Sequence, residues 1–600
     1  MKNKGFTLVE LLAVIVILAV ISLIATPMIL GVIETAKKSA SVESANGLLD
    51  AADKYMITSM FGESTVTRFD FPGDTKLSYK GTKPTSGTLV VDKDGDMSVT
   101  VSINGYCVRK RFSEKTPTII ETEDCSIEDS EIAYAENYRE DILNGADPVI
   151  AGNLIPVTID SDGKVYQADV KREWYNYANK TWANAIVLKD GATVELDGSI
   201  LEENIKQYYV WIPRYKYQLW NVNSEALYPN GTEGPSAINI VFESKNTQVS
   251  NGTSNGEWLT HPAFTSFNTA GLWVGKFETS YDENTFTNSS VFATSNPNTS
   301  AATSSSNIII KPNVRSLTNK TPSQFYTLSS GVNTDLNSHM MKNSEWGAVA
   351  YLTYSNYGKC TSEGCEEVYI NNVNTGYFPA SSATYSGQWQ HSTTITGCSG
   401  ASASAGAVGS QSACASGYAW NGTNNKASTT GNTSGIYDMS GGNWEYVMGV
   451  IKDASGNPMS GRNSKYNSGF NGTFGCPTCD SDTSGVTALT TGTAFPTDTR
   501  YYDLYTANST TLGDGTWWVY TNGHLGDANK EIAQTKANGS SGDRGLWYSD
   551  YAYFPTAAYP WVARGGDFYD GSGSGAGVFS FIRAYGNADS SSGFRVVLAY

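Results

Sequence analysis

Residues 1–33 read MKNKGFTLVELLAVIVILAVISLIATPMILGVI: two lysines, Lys2 and Lys4, then a run from Phe6 to Ile33 whose only ionisable side chain is Glu10. The run is 28 residues long. At about 1.5 Å per residue, a helix of that length outreaches a hydrocarbon core of about 30 Å. It reads as one membrane-spanning helix with the lysines held inside. A cleavable secretory signal fits badly, because its apolar region is shorter and ends at a small-residue cleavage site. Glu10 is the informative residue: a carboxylate in such a helix costs a few kcal/mol, about 2.5 to 3.5 at the centre, unless a partner neutralises it.

The stretch Lys4-Gly5-Phe6-Thr7-Leu8-Val9-Glu10, with Pro27 further along, resembles the type IV prepilin signature. The resemblance spans a leader, 1–5, and a transmembrane and stem helix, 6–55. It implies that a prepilin peptidase cuts after Gly5 and methylates the new amine of Phe6. It also implies that Glu10 pairs with the Phe6 amine of a neighbouring pilin subunit during assembly. A buried carboxylate and a buried ammonium are each costly alone, so pairing them between subunits couples extraction from the membrane to choice of register. The implied route is from the cytoplasmic membrane, as prepilin, to a pilus or the cell surface.

The whole chain has 600 residues, 40% hydrophobic and 12% aromatic, which is room and material for several domains with real cores. Only 16% of residues are charged, against about 25% in an average soluble protein, so Ser, Thr, Asn and Gly must make the surface. With 41 basic and 58 acidic residues the net charge is −17, which argues against nucleic acid as a partner. Four histidines, His261, His339, His391 and His524, leave little for zinc or imidazole chemistry and read as packing or surface residues. Eight cysteines fall into sequential near neighbours: Cys107 with Cys125, Cys360 with Cys365, Cys398 with Cys414, Cys476 with Cys479. Eight cysteines allow 105 connectivities, but short loops close at least entropic cost, and an exported chain oxidises its thiols. A zinc knuckle at Cys476 and Cys479 would need a matching second pair.

Beyond the membrane run, helical periodicity continues from Glu34 to Met60, as for a stem packing on a head. The fold class is α+β: a long N-terminal helix, a small β head at 56–127, a linker at 128–145, a small β unit at 146–200, and a mixed domain at 201–600. In the head, Lys76–Lys80, Thr88–Val91, Met97–Ile103 and Tyr106–Arg109 read as strands of an antiparallel sheet closed by Cys107 and Cys125. Asp92-Lys93-Asp94-Gly95-Asp96 is a hairpin turn, since Met97 and Ile103 stand where an EF-hand needs Gly and an acid. In the small unit, Pro156–Ile159, Lys164–Tyr166 and Trp182–Val187 read as strands, and the aromatics Trp174, Tyr175, Tyr177 and Trp182 as core. Tyr208–Tyr215 and Leu272–Thr279 read as strands and Ser344–Leu352 as a helix. The Ser/Thr/Asn/Gly-rich segments 283–306 and 380–432 read as long loops.

Residues 435–447, GIYDMSGGNWEYV, look like the central motif of formylglycine-generating-enzyme-like proteins, which have a C-type-lectin-like fold. Val274-Gly275-Lys276-Phe277-Glu278-Thr279, Arg564-Gly565-Gly566 and Gly593-Phe594-Arg595 are similar to other parts of that family, so the resemblance covers 205–600. The family's enzyme uses cysteines just before its closing strand, where this chain has Ile582-Arg583-Ala584-Tyr585 and no Cys follows Cys479. The resemblance therefore implies no catalytic residue here. Gly442 replaces the family's Asn at a calcium-site position, which leaves nearby carboxylates and carbonyls as the one route to a calcium ion. No other cofactor is implied.

The last forty residues, WVARGGDFYDGSGSGAGVFSFIRAYGNADSSSGFRVVLAY, alternate fixed-looking elements (Gly565-Gly566, Ala576–Phe579, Phe581, Gly593–Leu598) with small and polar residues. This resembles the variable region of proteins diversified by diversity-generating retroelements. Adenine mutagenesis of Asn codons that end in a pyrimidine never yields Lys, Glu, Gln, Trp or Met, and residues 567–592 contain none of these. Tyr with Ser, Gly, Asn and Asp is also the composition of antibody paratopes. The implied ligand-binding positions, expected to face outwards, are Asp567, Tyr569, Asp570, Ser572, Ser574, Ser580, Ile582, Arg583, Ala584, Tyr585, Asn587, Asp589, Ser590, Ser591 and Ser592. Phe579, Phe581 and Phe594 would anchor the region, with Arg583 and Tyr585 as hot spots.

The expected function is a minor or tip pilin-like surface protein that displays a lectin-like domain for adhesion or recognition of an external protein or glycan. The alternatives are a structural minor pilin or pseudopilin that primes filament assembly, and an enzyme on the same scaffold.

Overall fold

The computed structural model describes residues 7–59, 68–91, 96–112, 114–122, 124–128, 132, 147–170, 173–222, 236–245, 248–249, 252–285, 303–373, 394–401, 414, 417–422, 425–481, 483–506, 525–532, 545, 547–548, 550–568, 575–589 and 591–600. The chain forms two compact units, Met1–Asp141 with Asp169–Glu173, and Ile142–Ala168 with Trp174–Tyr600.

The first unit is built on α1 (Leu8–Ser59), 52 residues and so about 78 Å long. Its first half leaves Leu8, Leu12, Ile15, Leu23 and Leu30 exposed, and it is long and apolar enough to cross a membrane. Its second half buries Ser41, Ser44, Ala45, Leu48, Ala51 and Ala52, a helical stripe of small side chains with one leucine. That stripe packs on Leu89, Val91, Val99, Val101, Ile103 and Val108. The sheet beneath is antiparallel in chain order: β1 (Arg68–Phe71), β2 (Ser86–Val91), β3 (Met97–Ile103), β4 (Tyr106–Lys110), β5 (Thr118–Ile120). The Cys107–Cys125 disulfide ties β4 to the segment after β5.

One expected strand is absent: Lys76–Lys80 is irregular, and Arg68–Phe71 pairs with β2 in its place. Pro72, Gly73 and Asp74 turn the chain, and buried Leu77 pins the irregular segment to the core. Val91 lies opposite Met97, the register of the expected hairpin, although residues 92–95 themselves fall outside the described residues. So does most of the expected linker at 128–145, and much of 283–306 and 380–432.

The elements of the second unit used below are β6 (Ile155–Ile159), β7 (Val165–Gln167), β8 (Asn184–Leu188), β9 (Ser199–Ile200), β10 (Ile205–Pro213), β11 (Gly271–Gly275), α2 (Pro322–Ser330), β12 (His339–Met340), α3 (Asn343–Thr353), β13 (Trp444–Ile451), β14 (Asp503–Tyr505), β15 (Trp561–Arg564), β16 (Phe581–Ala584), β17 (Ser592–Gly593) and β18 (Val596–Ala599). One sheet runs β12-β18-β11-β10-β8-β6-β7-β9. A second has the order β14-β13-β15-β16, with β17 beside the start of β13.

The segment 146–200 is therefore not a separate unit, which corrects the sequence expectation. Ile186 of β8 lies opposite Tyr208 of β10, so β6 to β9 extend the larger sheet. A free-standing β unit of that size could not enclose four large aromatics, and Trp174, Tyr175, Tyr177 and Trp182 are buried in the common core, as expected of core residues. The last strand returns beside an early one, with Leu272 opposite Ala599 and Val274 opposite Val597. Helix α3 is buried along its length, and its Glu345 caps it by accepting the Lys342 amide at 2.8 Å.

Disulfides Cys360–Cys365, Cys398–Cys414 and Cys476–Cys479 complete the local pairing read from the sequence. His261 and His339 are buried packing residues, while His391 and His524 lie outside the described residues. The His261 Nδ1 accepts the Ala263 amide, so Nε2 carries the proton and donates to the Gly526 carbonyl at 2.8 Å. Burial pushes the imidazole down to about 3, which keeps it neutral.

The anchors of the C-terminal region are where the sequence put them: Phe579, Phe581 and Phe594 are fully buried, and Phe594 stacks on Phe325 of α2 at 4.5 Å between centroids. Phe594→Ala should destabilise the second unit by about 3 to 5 kcal/mol, read from the urea midpoint. A loss below about 1 kcal/mol would mean that the site collapses freely and is no anchor.

Candidate functional site

At the N-terminus, Gly5 and Phe6 lie outside the described residues, and Glu10 sits in the first turn of α1. Its Oε2 accepts the Thr7 amide at 2.9 Å and the Thr7 hydroxyl at 2.9 Å, while the Glu10 amide donates to Thr7 Oγ1 at 3.3 Å. This is a capping box, Thr at the cap and Glu three residues on. The sequence Thr7-Leu8-Val9-Glu10 carries that signal, which an argument from charge alone does not use. Within its own chain Glu10 thus satisfies the Thr7 amide at the start of the helix.

At the C-terminus, the structure separates the fifteen implied positions. Tyr569, Asp570, Ser572, Ser574 and Ser590 lie outside the described residues. Asp567, Ser580, Ser591 and Ser592 are buried, which corrects the expectation that they face outwards. Short polar side chains fit there because turns use them: the Ser591 amide and hydroxyl both donate to Asp589 Oδ1, at 2.9 and 2.7 Å, and the Ser591 carbonyl accepts the Trp444 amide at 2.9 Å. Asp589 and Asn587 are half-buried, and their carbonyls accept the Asn319 amide at 2.8 Å and the Tyr446 hydroxyl at 3.1 Å. On β16, Ile582 and Ala584 are half-buried and pack against the core, another correction; Arg583 and Tyr585 are half-buried too and alternate with them, on the face that begins at buried Phe581.

Arg583 and Tyr585 meet residues that the sequence reading missed. The Tyr585 ring is sandwiched between Tyr559, 4.5 Å away, and Tyr466, 5.0 Å away, near-parallel at 26° and 24°. The Arg583 guanidinium lies 4.5 Å from the Tyr559 centroid, and the Arg462 guanidinium 5.0 Å from Tyr585 and 5.3 Å from Tyr559. Arg462 Nε also bonds Asp480 Oδ2 at 2.9 Å. The Tyr585 hydroxyl donates to that of Tyr559 at 3.2 Å. Burial, then the Tyr559 hydroxyl, push Tyr585 up to about 12. All three rings are half-buried, so the column belongs to the surface. Nothing local in the sequence marks Arg462, Tyr466 or Tyr559, because the sheet gathers them from distant stretches.

The motif residues themselves make a buried polar network. Arg595 gives Nε to Glu445 Oε2 at 3.1 Å, Nη2 to Glu445 Oε1 at 2.5 Å and to the Tyr437 carbonyl at 3.0 Å, and Nη1 to the Gly275 carbonyl at 2.8 Å. Glu278 accepts the Asn443 amide at 2.7 Å, Asn443 Nδ2 at 2.8 Å, the Thr394 hydroxyl at 3.1 Å and the Ser316 hydroxyl. Asp438 accepts Asn371 Nδ2 at 2.8 Å and the Gly397 amide at 2.9 Å. Gly442 has φ +76, and a Cβ there would fall 2.1 Å from Glu278 Oε1, so only glycine fits. These carboxylate oxygens are engaged by protein donors and do not fit a calcium ion. Among the described residues no cluster of three acidic, His or Cys side chains could hold a metal.

Three carboxyls share one guanidinium here, so they cannot all ionise at ordinary cost. Burial, then the charges of Glu445 and Asp438, push Glu278 up to about 8. Burial pushes Glu445 up to about 7 against the pull of Arg595, and burial also raises Asp438.

The family described as the prokaryotic N-terminal methylation motif matches residues 1–26. No curated protein matches the chain. The chain therefore carries a prepilin-type N-terminus and is type IV pilin-like: an apolar helix suited to membrane insertion and pilin assembly, followed by a sheet-rich α+β body.

A carboxyl whose folded pKa is raised takes up a proton on folding, so its stability contribution is present below about 4.5 and is lost as pH rises through about 8. The melting temperature of the second unit should fall between pH 5 and pH 8.5, and fall less in Glu278→Gln, which mimics the protonated form. An unchanged slope in the variant would show that Glu278 is already ionised at pH 5.

Proposed function

We propose that the chain is a minor or tip pilin-like subunit that displays a lectin-like recognition domain, diversified at its C-terminus, on a pilus or the cell surface. The observation that carries the reading is the tyrosine and arginine column, in which Arg583 and Tyr585 from the C-terminal segment stand on a surface supported by residues outside it. Tyr and Arg are the residues that concentrate binding energy at interfaces. The lectin-like assignment draws support from the last strand lying antiparallel beside an early one and from Glu278, Asp438, Glu445 and Arg595 forming one network. Glu445 and Asp438 are buried and bonded within that network, so structural parts suit them better than catalysis. A second unit of this size on a pilin stem favours a minor or tip position over the bulk of a tightly stacked filament.

Two experiments test the reading. The codons for 561–600 are sequenced from many cells of one lineage. Variation should concentrate at Arg583 and Tyr585 and spare buried Asp567, Ser580, Ser591 and Ser592; an invariant region sinks the diversified reading and leaves a fixed head. At the other end, Glu10→Gln keeps the capping box, because Gln serves at that position, but offers no charge to the Phe6 amine. Cells carrying it should retain the protein in the membrane and lose it from sheared filaments, and normal recovery in filaments would overturn the pairing.

A further inference from the structure

The sheet that ends in β6-β7-β9 carries a cavity at that end, lined by β7, β9, the turns beside them and Asn421. Its volume is about 370 Å³, within the range of roughly 300 to 1,000 Å³ usual for small-molecule sites. Strands β7 and β9 pair antiparallel, with Tyr166 opposite Ser199 and Val165 opposite Ile200. Val165 and Ile200 are buried, so alternation turns Tyr166 and Ser199 away from the core. The turn before β7 is held by Asp160, whose Oδ1 accepts the Asp162 and Lys164 amides, each at 2.9 Å. Asn421 Nδ2 donates to the Asp162 carbonyl at 2.9 Å, across 259 residues of chain. Gly163 has φ +79, and a Cβ there would fall 2.5 Å from Asn421 Cβ, so glycine is what lets these two loops meet.

The cavity presents unused polar groups of both kinds. Among the described residues none hydrogen-bonds the Tyr166 hydroxyl, the Lys164 ammonium, or the carboxylates of Asp162 and Glu202. Asp197 Oδ1 accepts the Ser199 amide at 3.0 Å and its hydroxyl at 2.6 Å. The ammonium only donates, the carboxylates only accept, and the tyrosine hydroxyl and the Asn421 carboxamide do both. A ligand that matches this set offers donors and acceptors side by side, next to an apolar face for the half-buried Tyr166 ring. Ring hydroxyls of a sugar each donate and accept, and its C–H face suits an aromatic ring. An acidic ligand would meet three carboxylates, Asp162, Asp197 and Glu202, against one ammonium, and a simple cation would meet Lys164.

We infer that this cavity binds a neutral saccharide, whose ring lies on Tyr166 while its hydroxyls donate to Asp162 and Glu202 and accept from Lys164. Arg583 and Tyr585 belong to the other sheet, so the site goes beyond the display reading of the C-terminal segment and stands whether or not that segment is diversified.

The test places the full chain, in a polyoxyethylene detergent that carries no sugar, on an array of neutral hexose and N-acetylhexosamine oligosaccharides, with uronate- and sialate-bearing glycans beside them. At least one neutral glycan should bind, with an affinity indifferent to salt because the ligand brings no charge. Tyr166→Ala should weaken it about tenfold or more. Tyr166→Phe should fall between, since the ring stays and the hydroxyl is lost, and Glu202→Gln should weaken binding severalfold. These last two keep the shape of the side chain and carry the test should Tyr166→Ala lower the melting temperature. The inference is overturned if no neutral glycan binds, if the acidic glycans bind more tightly, or if binding is indifferent to all three variants. Binding that is lost in Arg583→Ala and kept in Tyr166→Ala would also overturn it, by moving saccharide recognition to the C-terminal segment and leaving the display reading intact.

Discussion

Arg595 is wholly buried, and a guanidinium carried away from water must find an acceptor for nearly every N–H it has. It meets that requirement by reaching the Glu445 carboxylate on β13, the Gly275 carbonyl at the end of β11 and the Tyr437 carbonyl just before the Gly441-Gly442 turn. One side chain next to β18 therefore joins the two sheets of the second unit. Removing Glu445 would leave a buried cation without its hydrogen-bonded carboxylate, a loss of about 3 to 5 kcal/mol. The motif residues Tyr437 and Glu445, by accepting from Arg595, help to fix how the sheets meet.

The network also explains why the candidate face can stand at a sheet edge without fraying. Strand β15 pairs with β13 on one side and β16 on the other, so the register of β16 descends from the strand that carries Glu445. Gly566 adds a second constraint, since a Cβ there would fall 2.5 Å from the Ala576 backbone. The chain must pass Ala576 closely before it can return as β16. Arg583 and Tyr585 are thus placed by contacts made well away from them.

Much of this was legible in the sequence. An apolar run of membrane length, a helical stripe of small residues, near-neighbour cysteines and fixed phenylalanines each carry a physical signal that local reading can decode. What stayed hidden depends on pairing between distant stretches. The 146–200 segment alternates as a free-standing sheet would, and only the pairing of β8 with β10 reveals that it extends a larger one. Ser580, Ser591 and Asp567 look like surface residues because nothing in their neighbourhood tells that a turn will enclose them. Tyr466 and Tyr559 carry no motif at all.

For the same reason the C-terminal segment tolerates change unevenly. Ile582 and Ala584 face the core, and Asp589 with Ser591 closes the turn that receives the Trp444 amide, so replacements there alter packing or backbone satisfaction. Arg583 and Tyr585 face a half-exposed column whose other members, Tyr466, Tyr559 and Arg462, are held by their own segments. Replacing either residue exchanges a surface contact and leaves the strand register intact. Among the described positions of the segment, Arg583 and Tyr585 are those whose replacement disturbs the core least.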